Sequence, residues 1–147
     1  MPARSEQIDY VSSELLPHAA LLTRLLVRRL GGELSRTEIG LLRAIGDESR
    51  RITELAELEG LAQPTTTILI KQLEEKGLVA RGRQPGDGRV VLVTLTERGS
   101  LALEGYRARL RAVLGEYLTE LSDEQVEALA TATETLAQLV DVLQQRL

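Results

Sequence analysis

The side chains best suited to meet another molecule are gathered in the middle of the chain. Gln63-Pro64-Thr65-Thr66-Thr67 leads into Ile68 and Lys71, and Arg81, Arg83, Asp87 and Arg89 follow. Amide, hydroxyl, ammonium and guanidinium groups at this density suit hydrogen bonding to phosphates and base edges. Covalent chemistry asks for more than this set supplies, namely a nucleophile with a base beside it. There is no cysteine, and His18 is the only histidine. Thiolate metal sites, cysteine nucleophiles and thiol redox sensors are therefore excluded, and His-rich zinc sites and Ser–His–Asp chemistry are disfavoured. No glycine loop of the phosphate-binding kind is present. We expect no enzymatic activity, no cofactor and no metal. Glu54, Glu57, Glu59, Glu74 and Glu75 read as a solvated surface rather than a cation site.

The charge balance qualifies that picture. The chain carries 18 Lys and Arg against 22 Asp and Glu, a net charge of −4. Nucleic-acid binders are often basic, so the total argues mildly against one. The distribution matters more. Ser49 to Arg89 holds seven basic and six acidic residues, which makes the middle the least acidic part.

These side chains need elements to position them. The 147 residues, 43% hydrophobic and 27% charged, fit one domain with a helical extension. No apolar run approaches the ~18 residues of a membrane span. Met1 to Gln7, with Arg4 and Glu6, does not resemble a secretory leader, so a cytoplasmic location is the expectation. Three tyrosines are the only aromatic residues, which leaves Leu, Ile, Val and Ala to fill the core.

Apolar spacing predicts a first helix over roughly Tyr10 to Leu30, with Pro17 either near its start or at a bend. Ser35 with Glu38 forms a capping box for a second helix ending near Gly46. Thr53 is placed as the cap of a short third helix, Glu54 to Glu59. Pro64 suits the first turn of a fourth, which Gly77 stops. Leu78 to Gln84 and Arg89 to Leu95 read as strands around a Pro85-Gly86-Asp87-Gly88 turn. Thr96 caps a helix reaching Leu118. Ser122 with Gln125 opens a last helix whose apolar stripe runs to Leu147.

Two short helices, a proline-led helix and a hairpin in that order describe a winged helix-turn-helix. The second helix of the motif fits a major groove ~12 Å wide and offers its N-terminal residues to base edges. The expected fold is mostly α, a winged helix-turn-helix with an α+β hairpin wing.

The sequence resembles the MarR family of bacterial transcriptional regulators. The residues that carry the resemblance are Leu55-Ala56, Pro64-Thr65 with Thr67, and Leu73-Glu74-Glu75-Lys76-Gly77-Leu78-Val79 with Arg81. Asp87-Gly88-Arg89 in the wing and Leu95-Thr96 with Gly99 complete the set. The resemblance implies a homodimeric repressor that binds double-stranded operator DNA, with N- and C-terminal dimerisation helices: residues 1–33 and 119–147 would form the dimerisation region, and residues 34–118 the DNA-binding lobe with its connecting helix. It places Gln63, Thr65, Thr67, Ile68 and Lys71 against the groove, with Arg81, Arg83, Asp87 and Arg89 in the wing. Arg89 would enter the minor groove, oriented by Asp87; an Asp87–Arg89 ion pair that stiffens the turn is the plainer alternative. The family usually carries arginine or another polar residue near Ile68 and Gln72. An outward Ile68 would be covered by a thymine methyl group or by the wing.

The resemblance further implies a small aromatic or lipophilic ligand where the dimer helices meet the lobe. His18, Leu22, Leu25, Leu41, Ile45 and Tyr106 are the candidate lining residues. The alternative to all of this is a winged-helix module that docks a protein partner and reads no DNA.

Overall fold

The computed structural model describes residues 1–147, which divide into two compact units, residues 1–110 and 111–147. The chain order is α1 (Arg4–Leu30), α2 (Arg36–Ile45), β1 (Arg50–Arg51), α3 (Ile52–Glu59), α4 (Gln63–Glu75), β2 (Val79–Gln84), β3 (Asp87–Leu95), α5 (Glu97–Leu118) and α6 (Asp123–Gln144).

In the first unit, α1 begins six residues before the expected Tyr10. The Glu6 carboxylate reaches back to accept the Ala3 N–H at 2.9 Å, so the start is fixed by a polar contact outside the apolar stripe. Pro17 lies well inside this helix. The second helix opens as its residues dictate. Ser35 Oγ accepts the Glu38 N–H at 3.1 Å, and Glu38 Oε2 accepts the Ser35 N–H at 2.7 Å.

One expectation fails around Arg50. Thr53 does not cap α3; it is the second residue of that helix, and Arg51 holds the cap position. The cause is a strand the sequence pattern does not announce. Arg50 and Arg51 pair antiparallel with Val93 and Leu92, which fixes the chain as extended up to Arg51 and starts the helix immediately after. The sheet order is therefore β1-β3-β2, all antiparallel. The wing turn is also tighter than expected, with Gln84 opposite Asp87 and only Pro85-Gly86 between the strands.

Apolar residues from these elements converge on one core. Ile39, Leu41, Leu42 and Ile45 come from α2, Leu55 from α3, and Ile70 and Leu73 from α4. Leu78, Val79 and Val93 join them from the base of the wing, with Leu103 from α5.

The fourth helix ends in a Schellman arrangement. The Leu78 N–H bonds the Leu73 carbonyl at 3.0 Å and the Gly77 N–H bonds that of Glu74 at 2.9 Å. Gly77 has φ +75°, a conformation in which a side chain would be strained. Thr96 then locks this turn to the next helix. Its Oγ1 donates to the Gly77 carbonyl at 2.6 Å and accepts the Gly99 N–H at 3.1 Å.

In the second unit, Ser122 Oγ accepts the Gln125 N–H at 3.2 Å and the Gln125 side chain accepts the Ser122 N–H at 3.0 Å. No residue of α6 is buried; Leu129, Leu136, Leu139, Val140, Val142 and Leu143 are all exposed. No helix is long and apolar enough to cross a membrane.

Candidate nucleic-acid interface

The fourth helix sorts its residues by periodicity. Thr66, Ile70 and Leu73 are buried, while Gln63, Pro64, Thr65, Thr67, Ile68, Lys71, Gln72 and Glu75 face outward. Ala62 precedes the helix and offers no side-chain cap, so Pro64 and the free amides of the first turn define its start. Two threonine hydroxyls are already committed. Thr66 Oγ1 donates to the Ala62 carbonyl at 3.1 Å and Thr67 Oγ1 to the Gln63 carbonyl at 3.0 Å. Thr67 therefore presents a methyl group and acceptor lone pairs outward, and Thr65 has the free hydroxyl.

The wing arginines differ in what they hold. Arg81 forms a two-pronged pair with Glu74, Nε to Oε2 and Nη2 to Oε1, both at 3.0 Å. That pair ties β2 to the end of α4, and hydrogen bonding from Arg81 holds the Glu74 carboxyl below its ordinary range. Arg83 Nη1 donates to the Gly88 carbonyl at 2.7 Å, across the hairpin. Asp87 Oδ1 accepts the backbone N–H of Arg89 at 3.1 Å. The aspartate thus braces the turn through the main chain, and the Arg89 guanidinium has no carboxylate partner.

Gln63 and Arg89 share a cavity of about 310 Å³ with Arg51, Ile52, Thr53, Val90 and Val91. The start of α4 and one edge of the wing therefore face a common space. Arg81 and Arg83 stand together elsewhere, beside Glu74, Gly82 and Val91. Arg51 was not among the residues expected at this surface. It is exposed and bonds Gln84 Oε1 through Nη2 at 3.1 Å. Nothing in its local sequence marks it; β1 pairing brings it to the wing.

The expected ligand residues do not form one lining. Leu41 and Ile45 are sealed in the core, because the stripe that seemed to face a pocket packs against α3 and α4. Leu22 and Leu25 are exposed. His18 is also exposed, its Nδ1 2.8 Å from the Glu14 carbonyl of its own helix. Tyr106 does line a cavity of about 570 Å³, with Gly32, Glu33, Leu34, Ile39, Ala102, Gly105 and Arg109. No group of three or more His, Cys, Asp or Glu is placed to hold a metal ion.

A proline-led helix beside a braced hairpin, on a core of three short helices, defines a winged helix-turn-helix. Residues 34–91 match the model of the MarR family. Over 93 residues the chain is 31% identical to the HTH-type transcriptional repressor MdtR of Bacillus subtilis (strain 168), covering 63% of this chain and 60% of that protein. The chain thus spans about three fifths of the length of that curated relative, and 55% of a second one from the same organism. A MarR family protein from Bacillus stearothermophilus has the same fold, with a TM-score of 0.69 at 25% identity, over 95% of this chain and 99% of that one. FabT of Streptococcus pneumoniae, solved in complex with DNA, shares the fold with a TM-score of 0.59 at 21% identity, over 96% and 99% of the two chains. The likeness to the MarR family is thus carried by residues 34–91.

Proposed function

We propose that the protein is a sequence-specific transcriptional regulator, a repressor that binds double-stranded operator DNA as a homodimer. The observation that carries this reading is the outward face of α4 beside an arginine with no acid partner, Arg89, at the edge of the wing. Gln63, Thr65, Thr67, Ile68 and Lys71 would enter the major groove. Arg83 and Arg89 would follow the backbone or minor groove, with Asp87 bracing the turn. Arg81 belongs to this surface as well, though its guanidinium is engaged by Glu74. That FabT, which shares the fold, was solved in complex with DNA is consistent with a DNA partner.

The apolar residues of α6 and those of α1, among them Ile8, Val11, Leu21 and Leu25, are exposed in the single chain. We assign these faces to the partner copy, which makes residues 1–33 and 119–147 the dimerisation region and residues 34–118 the reading lobe. Two-fold symmetry would then set the reading heads about 34 Å apart, one duplex turn. A small aromatic or lipophilic ligand would be received beside Tyr106, with the Arg109 guanidinium available to a carboxylate. It would release DNA by binding the DNA-incompetent arrangement more tightly.

The test is fluorescence anisotropy with duplexes from the DNA flanking the protein's own gene, alongside sedimentation velocity. Sub-micromolar binding that survives competitor DNA, by a species of twice the chain mass, is expected. A chain that sediments as a monomer at micromolar concentration, or that binds every duplex equally, would remove the reading and leave a protein-docking module as the better account.

A further inference from the structure

We propose that Ile68 reads thymine: its side chain packs on a C5-methyl group in the major groove and makes one position of each half-site selective for thymine. The inference rests on the DNA-binding reading above and names the base that the surface recognises.

Ile68 is 58% exposed, although it lies between the buried residues Thr66 and Ile70 in sequence. At that exposure neither the wing nor any other part of the chain covers it. At 3.6 residues per turn, Pro64 lies one turn before Ile68 on the same face, directly opposite the buried stripe. The crest of the helix, the line that penetrates deepest into a groove, is therefore apolar over its N-terminal half. The flanking outward residues, Thr65, Lys71 and Gln72, are polar. Further along the crest stands Glu75, whose charge would be repelled by phosphates, so close approach belongs to the first two turns.

The groove offers few partners for such a crest. Guanine and adenine present acceptors and a donor that an isoleucine leaves unpaired, and cytosine presents an amino group. Thymine alone projects a methyl group. A protein partner fits less well, because Pro64 and Ile68 form only a narrow apolar strip flanked by polar side chains, and docking surfaces need broader contiguous apolar area.

The experiment uses the full chain. A bound sequence is enriched from a randomised duplex library and resynthesised with deoxyuridine replacing thymine one position at a time, which removes only the methyl group. One thymine in each half-site is expected to weaken binding about four-fold when replaced, the effect of exposing one buried methyl group. Replacing both should weaken it about fifteen-fold. Ile68→Ala should bind the thymine and uridine duplexes equally while melting at the same temperature as the parent, and Ile68→Val should retain part of the discrimination. Deoxyuridine without effect at every position, or an effect undiminished in Ile68→Ala, overturns the proposal while DNA binding stands. A library that enriches no sequence removes the DNA reading itself, and this inference with it.

Discussion

Lys76 Nζ lies 2.7 Å from Oε1 of Glu38, so the residue that closes α4 is tied to the first turn of α2. Glu38 is only 5% exposed, and its other oxygen accepts the Ser35 N–H. One carboxylate thus caps a helix and fixes the far end of the candidate reading helix to the lobe.

That arrangement predicts a pH dependence. Burial pushes the Glu38 carboxyl up, but the bonds from Lys76 and Ser35 outweigh it and leave the group below its ordinary value of 4.5. A carboxyl depressed in the folded state stabilises fully above its unfolded value, and the contribution is lost as pH falls through the folded one. Melting temperature should therefore drop more steeply below about pH 4.5 in the parent than in Glu38→Gln. At pH 7, Lys76→Ala should cost about 1 kcal/mol, the lower end for an unpaired buried group because the lysine is partly solvated. Thermal melts across pH check both.

Gly99 sits where α5 begins, against the main chain of the turn after α4. A Cβ there would collide with the Leu78 carbonyl oxygen, which also accepts the Thr96 N–H at 3.1 Å. Neither backbone can retreat without breaking that bond. Gly99→Ala should destabilise the protein by about 3 kcal/mol in urea titration, whereas Gly105→Ala, whose Cβ would meet open space, should not.

Arg89 and Arg36 provide a matched pair of exposed arginines. Arg89→Ala should weaken DNA binding and lower the slope of log K against log salt by about 1 for each arginine lost, with Arg36→Ala leaving both unchanged. The parent slope should itself be shallow. Arg51, Lys71, Arg83 and Arg89 are the cations of this face without a bound carboxylate apart from the weak Arg51–Glu54 contact at 3.9 Å. Two copies would then give a slope no steeper than about −7.

Glu74 restrains a cation that DNA would otherwise attract. Glu74→Gln breaks the two-pronged pair with Arg81 and removes a negative charge from the end of α4. The variant should bind DNA several-fold more tightly at low salt with a steeper salt slope and poorer discrimination between sequences. Competition binding measures all three.

Much of this was legible in the residues, because the signals were local. Ser35 with Glu38, Ser122 with Gln125, and Thr96 with Gly99 each announce an element through contacts spanning three residues, and Pro64 does so through its own fixed backbone. The misplacements came from contacts distant in sequence. Arg50-Arg51 is a strand only because Leu92 and Val93 pair with it, and that pairing also moved the start of α3 away from Thr53. The Arg81–Glu74 pair spans only seven residues, but it forms across the turn between α4 and β2 and so was hidden too; it changes what Arg81 can offer DNA. Leu41 and Ile45 were misread as pocket residues for a different reason. An apolar stripe has the same spacing whether it faces a cavity or another helix, and only the packing decides.

The short strand Arg50–Arg51 has a mechanical consequence. It supports the sheet as far as Leu92, opposite Gly82, so the base of the wing is three strands wide and joined to the core through Val93. Beyond it, from Arg83 around to Val91, the ribbon has no third neighbour. A two-stranded ribbon twists at little energetic cost. On the proposed reading, the outer wing would be a torsion arm clamped at one end, its two-stranded part free to swivel with a narrowing or widening groove while the three-stranded base holds it to the lobe.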